Sequence, residues 1–194
     1  DALASIENHK PDLVVLDVMM PQMGGREVAK RLRDDAGVRV VSTCLAAHAI
    51  PSEFRGSQEG REAFVALVCD EILPAVAGEQ LASYCDVFCD RGAFTPEEAQ
   101  RIFARGLELG LSPRVHANEF GHTGGAQVAA ELAAASADHL LYLNGEERRA
   151  LREAGVVATL LPGTSTVLGK PFADGRALVA DGVPVAVATD CNPG

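Results

Sequence analysis

The stretch YCDVFCDRGAFTPEEAQRIFARGLELGLSPRVHANEF, residues 84–120, decides the architecture. Its opening run at 84–89 is apolar enough to be a strand buried on both faces. Thr95-Pro96-Glu97-Glu98 then reads as a helix start, with threonine at the N-cap, proline at the first helical position and acids in the first turn. The helix expected over 96–109 stops at Gly110, and a second strand follows at 113–117. A strand, a covering helix and a further strand form a parallel βαβ unit.

Working outward, the same unit recurs. Strands are expected at 12–17, 38–45, 84–89, 113–117, 138–143, 156–161 and 183–189, and helices near 25–34, 58–78, 96–109, 124–135, 146–153 and 173–181. About seven parallel strand–helix units exceed a five-stranded doubly wound fold. They suit an α/β fold of the TIM type, an incomplete (β/α)8 barrel with one strand missing. With 47% hydrophobic and 23% charged residues the chain can bury a sizeable core. A formal charge of −10 argues against nucleic acid or an anionic membrane as main partner. There is no run of about 18 apolar residues that could span a bilayer. The five cysteines show no disulfide framework, and Cys85 and Cys89 lie too far apart for a Cys-x-x-Cys zinc site. They read as reduced thiols of a cytoplasmic protein. The chain opens inside a helix-like segment and stops at ATDCNPG just after a strand, so it reads as a fragment.

In a βα barrel the chemistry gathers at the C-terminal strand ends. His48 follows the second expected strand, His116 lies on the fourth with Glu119 just beyond, and Asp190 ends the last. Asp138 and His139 are expected at the start of their strand or near its middle. A lone histidine near a strand end is more often a structural, hydrogen-bonded residue. Several successive strands offering imidazole and carboxylate favour a metal site with a proton shuttle. His122 reads as a loop residue, and His9 carries no functional case.

The blocks VVSTCLAAHAIP, VCDEILPAVA, CDVFCDRGAFT, VHANEF, GGAQVAAELAAASADHLL, LLPGTSTVLGKPFADGRALVADGV and VAVATDCNPG resemble imidazolonepropionase, a metal-dependent amidohydrolase, over about residues 38–194. The resemblance implies opening of 4-imidazolone-5-propanoate to N-formimidoyl-L-glutamate in histidine degradation, with one zinc or iron ion. It implies His116 and Asp190 as metal ligands, Asp190 also accepting the proton of the attacking water. Glu119 would contact the ring and assist proton transfer, and His139 would polarise the carbonyl. His48, Asn192 and Gly194 would contact substrate or product. It further implies a small-molecule substrate and a homodimer in the complete enzyme. Departures are a missing first-strand His-x-His ligand pair, a missing propionate-binding arginine and tyrosine segment, and Asn118 where aspartate is usual, a mild change.

Residues 1–35, with LDVMMPQMGG at 16–25, instead resemble the middle of a response-regulator receiver, Asp17 matching its phospho-acceptor. A working receiver also needs an acidic pair on its first strand and a nearby lysine. The Lys-Pro of GKPF at 169–172 belongs to the amidohydrolase-like block. The expected organisation is a receiver-like strand–helix unit at 1–36 in place of the second barrel unit, then a partial barrel at 37–194. A receiver fusion phosphorylated on Asp17 is the competing function, and a half-enzyme that is either inactive or completed by a partner is a third.

Overall fold

The structure, a computed structural model, describes residues 41–190 together with Arg31. Six strands form one sheet in chain order: β1 (Thr43–Ala47), β2 (Tyr84–Cys89), β3 (Ser112–Ala117), β4 (Ser136–His139), β5 (Val157–Leu160) and β6 (Val185–Val187). Every neighbouring pair is parallel. Sequential parallel order with a helix in each crossover is the arrangement of a barrel wall, as the sequence predicts. The strand expected at 12–17 and the helix at 25–34 lie outside the described residues, Arg31 excepted.

The helices are α1 (Gln58–Leu67), α2 (Leu73–Gly78), α3 (Pro96–Glu108), α4 (Gly125–Glu131), α5 (Gly145–Ala154), α6 (Pro162–Leu168) and α7 (Gly175–Ala180). A π-type segment, Val68–Ile72, joins α1 to α2, so the helix expected at 58–78 is one rod with a bulge. Thr95 and Asn144 close full capping boxes with Glu98 and Glu147 at the starts of α3 and α5. Helix α6 was not foreseen, because PGTSTVL is rich in weak helix formers. Its signals are Pro162 in the first turn and Gly169 in the left-handed region at the stop.

Register explains why one face is greasy and the other polar. Val87, Val115, Ala137 and Ala158 align across β2–β5 and are buried against the helices. Ile102 and Phe103 of α3, Ala126 and Ala129 of α4, and Leu151 of α5 belong to the same buried core. One residue along, Phe88, His116, Asp138 and Thr159 align on the opposite face, with Asp86, Arg114 and Ser136 in the row below. The two-residue strand period therefore sends the ionisable groups to the barrel interior.

The last strand, expected at 183–189, is only Val185–Val187, and the boundaries shift most at β1 and β4. The strand expected at 38–45 is Thr43–Ala47, with 38–40 outside the described residues. The strand expected at 138–143 is Ser136–His139, so Asp138 and His139 stand at its C-terminal end rather than its start or middle. Leu140 and His139 both have positive φ, 56° and 73°, which ends the strand despite the apolar run that follows.

Candidate metal and proton-transfer site

The site residues gather at the C-terminal rim of the strands, except Asp86, which projects from the middle of β2. His48 is the first residue after β1, and Asp86 is the third of β2. His116 is the penultimate residue of β3, Glu119 follows two residues after that strand, and His139 closes β4. Asp190 lies three residues beyond β6. The sheet thus brings together His48, His116, Glu119, His139 and Asp190, which the sequence singles out. Asn192, Gly194 and Asp17 lie outside the described residues.

His116 Nδ1 is 2.7 Å from Asp86 Oδ1, and Asp86 is only 3% exposed. The His48 ring meets His116 edge-on at 4.5 Å between centroids, and His139 is 5.4 Å from His116. His139 Nε2 lies 3.7 Å from Glu119 Oε2 and 3.9 Å from Asp190 Oδ2. Both distances exceed hydrogen-bond range.

The environment sorts the protonation states. Burial opposes charge on His116, but the carboxylates of Asp86, Asp138 and Asp190 outweigh it and hold the imidazole at about 9. Burial, reinforced by His116, pushes His139 down to about 4, so its contacts with Glu119 and Asp190 involve a neutral ring. His48 is lowered by the same two causes. Burial, then the charges of Asp190 and Asp90, raise Glu119 above the usual carboxylate range. A carboxyl raised in this way beside a neutral imidazole is suited to giving and taking a proton.

The loop after β3 is pinned from two sides. Asp90 Oδ2 accepts from the Glu119 and Phe120 amides at 2.5 and 3.0 Å, while Oδ1 accepts from the Arg91 amide at 2.6 Å. Asn118, with φ of 52°, donates from Nδ2 to the Tyr142 carbonyl at 2.7 Å and to Glu147 Oε1 at 3.0 Å. Its Oδ1 accepts from the Ala126 amide at 3.2 Å. Glu147 also lies 3.2 Å from His122 Nδ1, so the loop histidine helps brace this turn. Across the rim, the Thr164 hydroxyl of α6 donates to Asp190, which takes a φ of 54°. Beside His139 a small cavity of ≈ 110 Å³ opens between Leu160, Pro162, Ser165, Phe172 and Val187.

Asp86 and Asp90 were missed as site residues by sequence reasoning. The signal was present: a carboxylate inside the apolar run YCDVFC, and another immediately after it, are costly to bury without a partner.

The donors suit a borderline divalent ion, for imidazole nitrogen and carboxylate oxygen are the ligands that zinc and iron accept. Nδ1 of His48 and of His139 are buried without a hydrogen-bond partner. Orphaned imidazole nitrogens at a strand-end rim call for something there to satisfy them. The residues present therefore fit a metal ion.

Comparison with known proteins agrees with this geometry. The chain is 50% identical over 168 residues to an imidazolonepropionase of Geobacillus thermodenitrificans, covering 87% of this chain and 39% of the relative. An imidazolonepropionase of Bacteroides fragilis is 44% identical over 170 residues, 87% of this chain and 40% of the relative. The chain thus spans about two fifths of the length of these curated relatives. Among solved structures, an adenine deaminase from Arthrobacter aurescens superposes with TM-score 0.62 at 19% identity, over 84% of this chain and 49% of that one. An amidohydrolase from a Sargasso Sea environmental sample gives TM-score 0.58 at 16% identity, over 89% and 42%. An adenosine deaminase from Xanthomonas campestris with bound zinc gives 0.59 at 18%, over 86% and 39%. These structures share the fold. Residues 1–66 match the response regulator receiver domain family. Over 87% of its length the chain is thus similar to part of imidazolonepropionase, its fold is that of an incomplete parallel βα barrel, and its first 66 residues match the receiver family.

Proposed function

We propose that this chain carries part of the active site of an imidazolonepropionase-like hydrolase, one that opens 4-imidazolone-5-propanoate to N-formimidoyl-L-glutamate. The observation that carries the reading is the meeting of His116, His139, Glu119 and Asp190 at one rim of a sheet homologous to that enzyme. On this reading the join between the receiver-like unit and the partial barrel falls near residue 36. The complete protein is a cytoplasmic homodimer of histidine breakdown, acting on a small molecule.

The reaction adds water to a ring carbonyl and breaks a C–N bond. His116 and Asp190 would hold the zinc or iron ion, which when bound acidifies water and polarises the carbonyl. Asp190 takes the proton from the attacking water. His139, neutral because of its burial, donates a hydrogen bond to the oxygen that gains charge. Glu119, whose carboxyl is raised, passes a proton to the departing ring nitrogen. His48 contacts the substrate, and Asn192 and Gly194 hold the carboxylate-bearing product. The missing His-x-His pair and arginine leave two metal ligands and the propionate anchor to be supplied from outside this chain.

The test is mass-spectrometric detection of N-formimidoyl-L-glutamate from 4-imidazolone-5-propanoate, using this chain and the longest natural form that contains it. Formation by the longer form, lost in H139A and E119Q, is expected. Absence of product from every form would refute the assignment.

The receiver match on residues 1–66 favours a second reading, a fusion phosphorylated on Asp17. Incubation with acetyl phosphate and magnesium should then add one phosphoryl group by intact mass, lost in D17N. An unchanged mass would remove this reading.

A further inference from the structure

Three consecutive residues at the end of β2 all act on the loop that leaves β3. The carbonyl of Cys89, the last residue of the strand, accepts from the Thr123 hydroxyl at 3.4 Å. The Asp90 carboxylate receives the Glu119 and Phe120 amides on Oδ2 and the Arg91 amide on Oδ1. The Arg91 guanidinium lies against Gly121, where a β-carbon would stand 3.2 Å from its Nη2. The end of β2 therefore grips the loop at residues 119, 120, 121 and 123.

Asp90 is the costly member of this grip. It is 4% exposed, and a buried carboxylate persists only where hydrogen bonds replace its water. A plain turn needs no such group, because a serine or asparagine oxygen accepts from loop amides without burying a charge. An ionised acceptor makes stronger bonds, and this one takes three amides at once. What it holds is Glu119, whose own carboxylate stands 3.7 Å from His139, beyond hydrogen-bond range. That contact is too long to fix the carboxylate, so its position is set from the backbone that Asp90 anchors. Phe120, the next residue, is in ring contact with Phe88 at 6.0 Å and lies under the Lys170 ammonium at 5.0 Å.

We infer that Asp90 is a positioning residue for proton transfer, fixing the Glu119 and Phe120 amides so that the Glu119 carboxyl meets the departing ring nitrogen. The inference rests on the proposed hydrolase reading, in which Glu119 moves that proton. Asp90 touches neither substrate nor metal on this account and acts through geometry alone. A displacement of about 1 Å in a reacting group costs about 100-fold in rate. Substrate binding, carried by other groups, is left in place.

Two readouts test this. The first is amide hydrogen exchange, resolved by NMR on the full chain. In D90A the Glu119 and Phe120 amides should exchange at least about 10-fold faster than in the parent, while those of Val115 and His116 in β3 keep their rates. The second is steady-state kinetics on the longest natural form that contains the chain. D90A should lower kcat about 100-fold with KM within about fivefold. The carboxamide oxygen of D90N still accepts from the loop amides, so this isosteric variant should fall between D90A and the parent in both readouts. If D90A does not fold, D90N decides, with faster exchange at the two amides and a kcat loss of about 10-fold expected.

Unchanged exchange at Glu119 and Phe120 overturns the inference whatever the activity. A kcat within about threefold of the parent, or a loss confined to KM, overturns it while the hydrolase reading stands. Faster exchange throughout β3 marks general destabilisation and overturns it as well. If the parent forms no product, the hydrolase reading fails and takes the catalytic role of Asp90 with it, even where exchange shows the grip.

Discussion

His139 aligns in register with Ala117, yet its ring lies 5.4 Å from that of His116, one residue back on the same neighbouring strand. By strict alternation it would face the helices alongside Ala137. The positive φ of 73° at His139 breaks that alternation at the last strand residue and turns the ring to the rim, near Glu119 and Asp190. Helix α4 closes over the same strand ends.

Gly125 opens α4 against β2 and β3. A β-carbon there would stand 2.7 Å from the Cys89 carbonyl oxygen and 2.8 Å from Ala117 Cβ. Neither atom is the free end of a flexible side chain, so the helix must move. G125A should lose about 1–3 kcal/mol of stability, as overpacked sites do. Urea denaturation followed by circular dichroism measures it, and a midpoint equal to that of the parent would show that the close approach is not a constraint.

Asn118 is not the mild change that its likeness to aspartate implies. Its amide group feeds both the Tyr142 carbonyl and Glu147 Oε1, and a carboxylate can donate to neither. N118D should cost about 2–3 kcal/mol at neutral pH. Burial beside Glu147 would raise the new carboxyl, whose neutral form alone can donate. The deficit should therefore be small below its unfolded value and grow as the pH rises through the folded one. Denaturation midpoints at pH 5 and pH 8 should separate for N118D relative to the parent.

Arg61 and Arg101 both pair with a glutamate, but only one pair matters. Arg61 reaches both oxygens of Glu98, at 3.1 and 2.6 Å, and the Ala93 carbonyl, while Glu98 also caps α3. The Glu98 side chain is 11% exposed, whereas Arg101 and Glu62 are 50% and 52% exposed. R61A should lose about 3 kcal/mol because a buried carboxylate is left without its partner. R101A should change stability by less than about 1 kcal/mol. Equal losses in thermal unfolding would contradict the distinction drawn from burial.

Burial pushes the Cys85 and Cys89 thiols up to about 12. Few thiolates exist at those positions in the folded chain near pH 8.5, while an unfolded thiol is half ionised there. Iodoacetamide should modify them only after denaturation, with the half-buried Cys69 reacting sooner, as followed by peptide mass mapping. The raised thiols also favour the fold below the unfolded value near 8.5. That contribution is lost as the pH rises towards 12, so stability should decline in the alkaline range. Rapid alkylation of Cys85 in native buffer would contradict its burial.

The sequence by itself determined the order of elements and the barrel class. Apolar strand runs, the Thr95-Pro96 helix start and the glycine stops are local signals, each set by a few adjacent residues. It also marked His48, His116, Glu119 and Asp190, since polar groups at the ends of apolar strands are visible as a pattern. Only the tertiary structure decided that β4 ends at His139, that α6 forms, and that Asp86 and Asp90 belong to the site. The reason is physical. A strand end set by backbone dihedrals, a weak helix held by its surroundings, and a carboxylate whose partner lies 30 residues away all depend on contacts between strands that are distant in the chain. The register of a parallel sheet is fixed by those contacts and is not written in any one segment.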